Sequence, residues 1–309
     1  MICYFIQSHK NPEQIRRLVE AIKSASPHSQ VLINHDFSTS ALDLSDLSNY
    51  SGIDIIKREK PAKRGDSSLL EMYIDAIDWL FAHNSDFDWL VCLSGQDYPT
   101  QPIAKIEAFL NQTEYDGFIR YWDVLSSESV WGKAGEKRFF GQYISLPEWT
   151  SWFLRKLGRI EPFTPLLVQW RFSLLGIKSK NHPFNPQFKC YGGWYWNTLS
   201  RRCLKYFRDY LHAHSEVLKY YQKTLAPEES ILQTVLVNAQ QFNLCNDDKR
   251  FVEFPADIRS GNARLLTTED FPKITQGDFH FGRKIDMQHD RKLLDLLDAQ
   301  LHCVTKSSL

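Results

Sequence analysis

The chain alternates short, largely apolar runs with segments whose apolar residues recur every three or four positions. ICYFIQ (2–7), VLINHD (31–36), IDIIKR (53–58), DWLVCLS (88–94) and DGFIRYW (116–122) have the length and composition of strands. Between them, IRRLVEAIKSA places Ile15, Leu18, Val19 and Ile22 on one helical face, and SSLLEMYIDAIDWLFAH (67–83) and IAKIEAFLNQ read as two more helices. The order β-α-β-β-α-β-α-β predicts an α/β fold, a mostly parallel sheet flanked by helices on both faces. Ligands of such sheets bind beyond the carboxyl ends of the strands. Here those loops are SHKNP, NHDFS, REKPAKRGD and SGQDYP.

The periodicity is lost from 123 to 185 in a stretch rich in Trp, Phe, Arg and Lys. It returns with FKCYGGWYWNTLSRRCLKYFRDYL, a strand-turn-strand feeding a helix. A helix over 228–240, a strand near 250–255, a helix start at TTEDFPKI and a terminal helix follow. No repeat or linker stands out. The expected layout is a single Rossmann-like domain over 1–309: a nucleotide-binding half (1–122), an irregular aromatic and basic insert (123–185), and an acceptor and catalytic half (186–309).

Composition narrows the classes. Lys plus Arg balance Asp plus Glu at 37 each, so no whole-molecule field draws the chain to nucleic acid. Nine Trp are more than most cores hold, and sugar sites use such surplus aromatics, although a large core absorbs them too. The six cysteines (Cys3, Cys92, Cys190, Cys203, Cys245 and Cys303) show no CxxC spacing and read as reduced thiols rather than a zinc site or a disulfide framework. MICYFIQSHK enters a strand at once without a basic leader, and no run of about 18 apolar residues occurs. The expected location is the cytoplasm.

Neither GxGxxG nor GxxxxGK[ST] is present. The one Asp-x-Asp, Asp86-Phe87-Asp88, precedes its strand and so lies at the wrong end of the sheet for a ligand. APEES (226–230) leads into ILQTVLV. Proline suits a first helical position and carboxylates a first turn, so on the residues alone Glu228 and Glu229 need be no more than helix starters.

Several stretches change that reading together. LSGQDYPTQP (93–102) resembles the LSGxDxPL segment of the core-2/I-branching β-1,6-N-acetylglucosaminyltransferase family, glycosyltransferase family 14, which also includes peptide O-xylosyltransferases and plant glucuronosyltransferases. In the same order, the opening strand and helix, VLINHD, GGWYWNTLSR (192–201), APEESILQTVL, and ARLLTTEDFPKI with FGRKID resemble that family's motifs. The resemblance implies a GT-A-type fold and inverting transfer from a UDP-sugar to a glycan or glycolipid hydroxyl, with no metal or other cofactor. GlcNAc is the favoured sugar, ahead of xylose and glucuronate. Carried over by position, it places the general base on Glu229 and the cations that meet the leaving group on Arg264 and Lys284; Arg283, the neighbour of Lys284, could substitute on charge alone. The chain departs from the family pattern at Glu228 and Ser230.

The chemistry is consistent with those residue types. The attacking hydroxyl must lose its proton to a positioned carboxylate. A helix N-terminus would keep Glu229 ionised, while Glu228 is expected to face solvent, cap the helix or touch the acceptor, with its acting as the base in place of Glu229 as the lesser alternative. Departing UDP gains negative charge, which an Arg fork and a Lys point charge can meet. By the strand-end rule, uridine is expected near Ser8, His9, His35 and Asp36, with Arg64 and Asp66 on the next loop. Asp97 either contacts the donor or braces its loop. Gly193 would let the backbone approach the sugar. Trp194 and Trp196 are acceptor-facing candidates, though alternation sends at least one of Trp194, Tyr195 and Trp196 into the core.

The insert fits three readings: an acceptor cleft, a peripheral contact with an anionic membrane through 149–180, or a helical cover over the sheet. Two rival functions also stand at this point. One is a nucleotide- or carbohydrate-binding domain without catalysis; the other is a metal-dependent transferase using Asp97 or Asp88.

Overall fold

The apolar runs assemble as strands; the central ones are buried on both faces, and the edge strand is only partly buried. The computed structural model describes residues 1–58, 60–83, 85–255 and 263–306. β1 (Ile2–Ser8) lies between β2 (Gln30–Asp36) and β4 (Trp89–Ser94), in parallel register with Phe5 beside Leu32 and Cys92; β3 (Ile53–Arg58) extends the sheet past β2. Alternation sends Cys3 and Phe5 to one face and Tyr4 and Ile6 to the other. α1 (Pro12–Ala25) and α3 (Ile103–Gln112) cover the Tyr4 face, with Ile15, Leu18, Val19 and Ile22 fully buried as the spacing predicts. α2 (Ser68–Ala82) covers the Phe5 face.

Past β4 the chain runs through β5 (Tyr98–Pro99) to β6 (Gly117–Ile119) and β7 (Trp122–Asp123). The stretch without periodicity then folds as α4 (Lys133–Phe139), β8 (Gly141–Ser145), α5 (Ser151–Leu157), β9 (Leu166–Gln169) and β10 (Leu174–Lys178), the three strands forming an antiparallel sheet in the order β8-β10-β9. It is therefore not a helical cover. Its strands are only four or five residues long and are split by single-turn helices, too short to show a period. Next come β11 (Tyr191–Gly192), paired with β7, and β12 (Asn197–Ser200), followed by α6 (Arg201–Ala213), α7 (Ser215–Tyr221) and α8 (Ile231–Asn238). β13 (Leu244–Cys245), β14 (Arg250–Val252), α9 (Phe271–Gln276), β15 (Phe281–Arg283) and α10 (Arg291–Lys306) complete the chain.

The main sheet has the order β13-β6-β12-β4-β1-β2-β3, and only β12 runs antiparallel to its neighbours. The α/β expectation of a mostly parallel sheet between helices therefore holds. The connection order reverses between β1 and β4, which opens a crevice at their carboxyl ends. A second small sheet, β14-β15-β5, hangs beside that crevice and delivers Arg283 and Lys284 to it. Cys3, Cys92, Cys190, Cys203 and Cys245 are free thiols; Cys303 lies outside the described side chains. Among the described residues no helix is long and apolar enough to cross a membrane.

Candidate active site

Beyond β1 and β4 lies a cavity of about 470 Å³. One buried side chain fixes its rim. Gln14 of α1 donates to the carbonyls of Gly95 (2.7 Å) and Ile285 (3.0 Å) and accepts from the Met287 amide (2.7 Å). It thereby ties the loop after β4 to the segment carrying Lys284. The Ile285 amide adds a bond to the Gln96 carbonyl (2.9 Å).

Glu228 and Glu229 line the same cavity. They lie in a 3-10 turn, Pro227–Glu229, and α8 begins only at Ile231, so the expected helix over 228–240 starts later and neither carboxylate sits in its first turn. The turn is fastened from several sides. Ala226, at φ 50°, donates its amide to the Gly65 carbonyl (2.9 Å), and the Gly193 amide donates to the Glu229 carbonyl (2.9 Å). The Ser230 hydroxyl donates to the Tyr191 carbonyl (2.7 Å). The Glu229 carboxylate is ion-paired with Arg138, whose guanidinium lies 4.4 Å from the Trp131 ring centroid.

Glu228 does not face solvent. It is 5% exposed, and its Oε2 has no hydrogen-bond partner. Burial, reinforced by the adjacent Glu229, pushes its carboxyl up to about 8. The pair is thus split: Glu228 holds its proton at neutral pH, while Glu229 is held as a partner of Arg138.

Lys10, Lys63, Arg64, Arg283 and Lys284 also line the cavity. Burial, with Arg283, Arg64 and Lys10 nearby, brings the Lys284 ammonium down to about 8. Arg283 is buried over the Trp196 ring at 3.8 Å, with Asp97 at 3.7 Å. Arg264 is not on the cavity wall. Its guanidinium is taken up by Asp270 (2.6 and 2.8 Å) and Glu253 (2.7 Å), so the cation that accompanies Lys284 is Arg283.

The other expected residues divide between wall and support. Ser8, His9, Trp194 and Trp196 line the cavity. His35 is fully buried behind Ser8, sharing a 2.8 Å hydrogen bond with its hydroxyl. Asp36 accepts from the Ser38 amide (2.9 Å) and the Ala62 amide (3.0 Å), and Asp66 accepts from the Ser68 amide (2.9 Å). Both brace loops. Asp97, fully buried, accepts from the Ser94 amide (2.7 Å) through Oδ2, as a loop brace would, while its Oδ1 has no hydrogen-bond partner. Gly193 is needed for a different approach than expected: a Cβ there would lie 1.8 Å from the Arg120 carbonyl oxygen. Tyr195 is the aromatic that alternation buries, packed on Tyr73. Asp88, at the amino end of β4, pairs with the N-terminal amine, away from the cavity. Among the described residues no cluster of three or more His, Cys, Asp or Glu is placed to hold a metal ion.

Sequence reasoning missed Arg138, which comes from the insert 91 residues before Glu229. The insert's basic and aromatic content was the only signal for it. Lys10, Lys63 and Gln96 lie in loops that were singled out, but they were not chosen.

No family model matches the chain. It is 23% identical over 289 residues, 89% of its length, to beta-glucuronosyltransferase GlcAT14B of Arabidopsis thaliana, which extends to most of the chain the likeness to family 14 carried by the motifs. The chain spans 60% of the length of that relative. Among solved structures, it is similar to a galactosyltransferase, LgtC, in complex with donor and acceptor sugar analogs (TM-score 0.39, 11% identity, 93% of this chain and 87% of that one). It is also similar to a putative glucose-1-phosphate thymidylyltransferase of Bacillus anthracis (TM-score 0.34, 8% identity, 79% and 85%). At those scores neither carries an argument, and the fold class rests on the sheet itself.

Proposed function

We propose that this chain, a distant relative of glycosyltransferase family 14, moves a sugar from a UDP-sugar to a glycan or glycolipid hydroxyl, with inversion and without a metal ion. The observation that carries the reading is one cavity lined by the Arg138-held Glu229 together with Arg283 and Lys284. The acceptor oxygen attacks the anomeric carbon as its proton passes to Glu229. The bond to UDP breaks, and its electron pair leaves on the β-phosphate, where Lys284 and Arg283 meet the new charge. Five cationic side chains on the wall supply the positive charge that a departing diphosphate requires. Glu228, carrying its proton, adds no second negative charge beside it.

GlcNAc is the donor sugar that the motif resemblance favours. Glucuronate is the second candidate, because the relative is named for glucuronosyl transfer. Turnover of UDP-GlcNAc, UDP-glucuronate and UDP-xylose in EDTA, by the native chain and by Glu229→Gln, tests the reading. The native chain should turn over one donor in EDTA. The variant should lose roughly 10²- to 10⁴-fold in rate while UDP still raises its melting temperature. Native rates in the variant, or a chain whose melting no uridine nucleotide shifts, would sink the proposal.

A further inference from the structure

The small antiparallel sheet has two unlike faces. Tyr143, Leu167 and Leu174 pack against Leu225 and Ala226, immediately before the turn that carries Glu228 and Glu229. The registers Leu175↔Ile144, Ile177↔Gln142 and Leu175↔Val168 put Ile144, Ile177 and Val168 on the opposite face. α5, with Leu154 buried, packs against β9, and Ile144 and Ile177 stay exposed at 61% and 54%. The outer side of α5 presents Trp152 and Phe153, and Trp149 and Phe163 on the flanking segments are 73% and 89% exposed. Soluble surfaces rarely gather so many large apolar side chains in one region.

The charge around them is mainly basic, although Glu148 precedes Trp149 and Glu136 pairs with Lys178. Residues 149–180 carry six Lys or Arg and a single acidic residue, in a chain with no net charge. That acid, Glu161, is paired with Lys137 at 2.6 Å. Lys156 lies 4.8 Å from the Trp152 ring centroid, and Arg155 5.4 Å from that of Trp170, so cations and aromatics share one surface. We propose that this face docks on an anionic lipid bilayer, with the aromatics entering the headgroup region and the basic side chains meeting lipid phosphates. A second copy of the chain is disfavoured as the occupant, because two such basic faces brought together repel. Because the inner side of the same sheet bears on the Glu228–Glu229 turn, docking would set the cavity beside the membrane surface.

The inference does not rest on the proposed chemistry; failure of vesicle binding would leave the donor reading untouched. Sedimentation of the purified chain with phosphatidylcholine vesicles, with and without 30% phosphatidylglycerol (roughly the range in which charge dominates binding), tests it. Binding is expected to the anionic vesicles and to fall steeply with salt. Arg155→Ala/Lys156→Ala should weaken it about 30-fold, and Trp152→Ser/Phe163→Ser should abolish it, with melting temperatures and UDP binding unchanged in both. If either pair unfolds the chain, the native protein's response to lipid charge and salt decides alone. Equal affinity for neutral vesicles, no binding to either, or a dimer that buries this face in sedimentation equilibrium would overturn the proposal.

Discussion

Replacing Glu228 by Gln should make the protein more stable, and increasingly so as the pH rises. The folded state holds the Glu228 proton up to about pH 8, whereas its ordinary value is 4.5. Between those values the folded state binds more protons than the unfolded chain, so stability falls as pH rises through the window, with a steepest slope of about 1.4 kcal/mol per unit. Other buried groups act elsewhere. His280 is pushed down to about 3 and Asp248 up to about 6, so their contributions change below pH 6.5; that of Lys284 changes above about 8. From pH 6.5 to 8, therefore, Glu228 should cost the native protein on the order of 2 kcal/mol, after the taper near its own titration. Gln has the shape of the protonated acid and no charge to lose, so it should abolish that decline. Urea melts of both proteins at pH 6.5, 7.2 and 8 measure it. Parallel pH profiles would refute the account of Glu228 as a buried, proton-bearing carboxyl.

Two further substitutions probe the geometry around the turn. Gly193→Ala places a methyl 1.8 Å from the Arg120 carbonyl oxygen and should destabilise the fold by about 3 kcal/mol, read as a lower denaturation midpoint. Arg138→Ala leaves Glu229 without its ion pair and should lower kcat roughly 100-fold with little change in UDP affinity, while Arg138→Lys recovers part of the rate; an unchanged kcat in the alanine variant would remove Arg138 from the positioning of Glu229.

The central parallel strands were legible because both of their faces are buried, so the runs ICYFI and WLVCL are apolar without interruption. The position of the cavity followed from strand order alone, and Asp88, paired with the N-terminal amine, does not line it. Contacts between distant segments were not legible. Arg138 meets Glu229 across 91 residues, and nothing local to either marks the pairing. Arg264 and Arg283 look alike as sequence; only Asp270 and Glu253, packed around one, and Asp97 with Trp196, packed around the other, separate a committed guanidinium from one on the cavity wall. The Glu pair was misjudged for a related reason. A left-handed Ala226 and the 3-10 turn after it rotate Glu228 inward, and neither conformation is encoded by a residue type that requires it.

The central claim is that cations on the cavity wall, rather than the more distant Arg264, receive the diphosphate. Calorimetric titration of UDP into Lys284→Ala and Arg264→Ala tests it directly. Loss of a charge-assisted contact predicts at least roughly tenfold weaker UDP binding for Lys284→Ala, with affinity within about twofold of native for Arg264→Ala. Native affinity in the lysine variant together with a collapse in the arginine variant would contradict it.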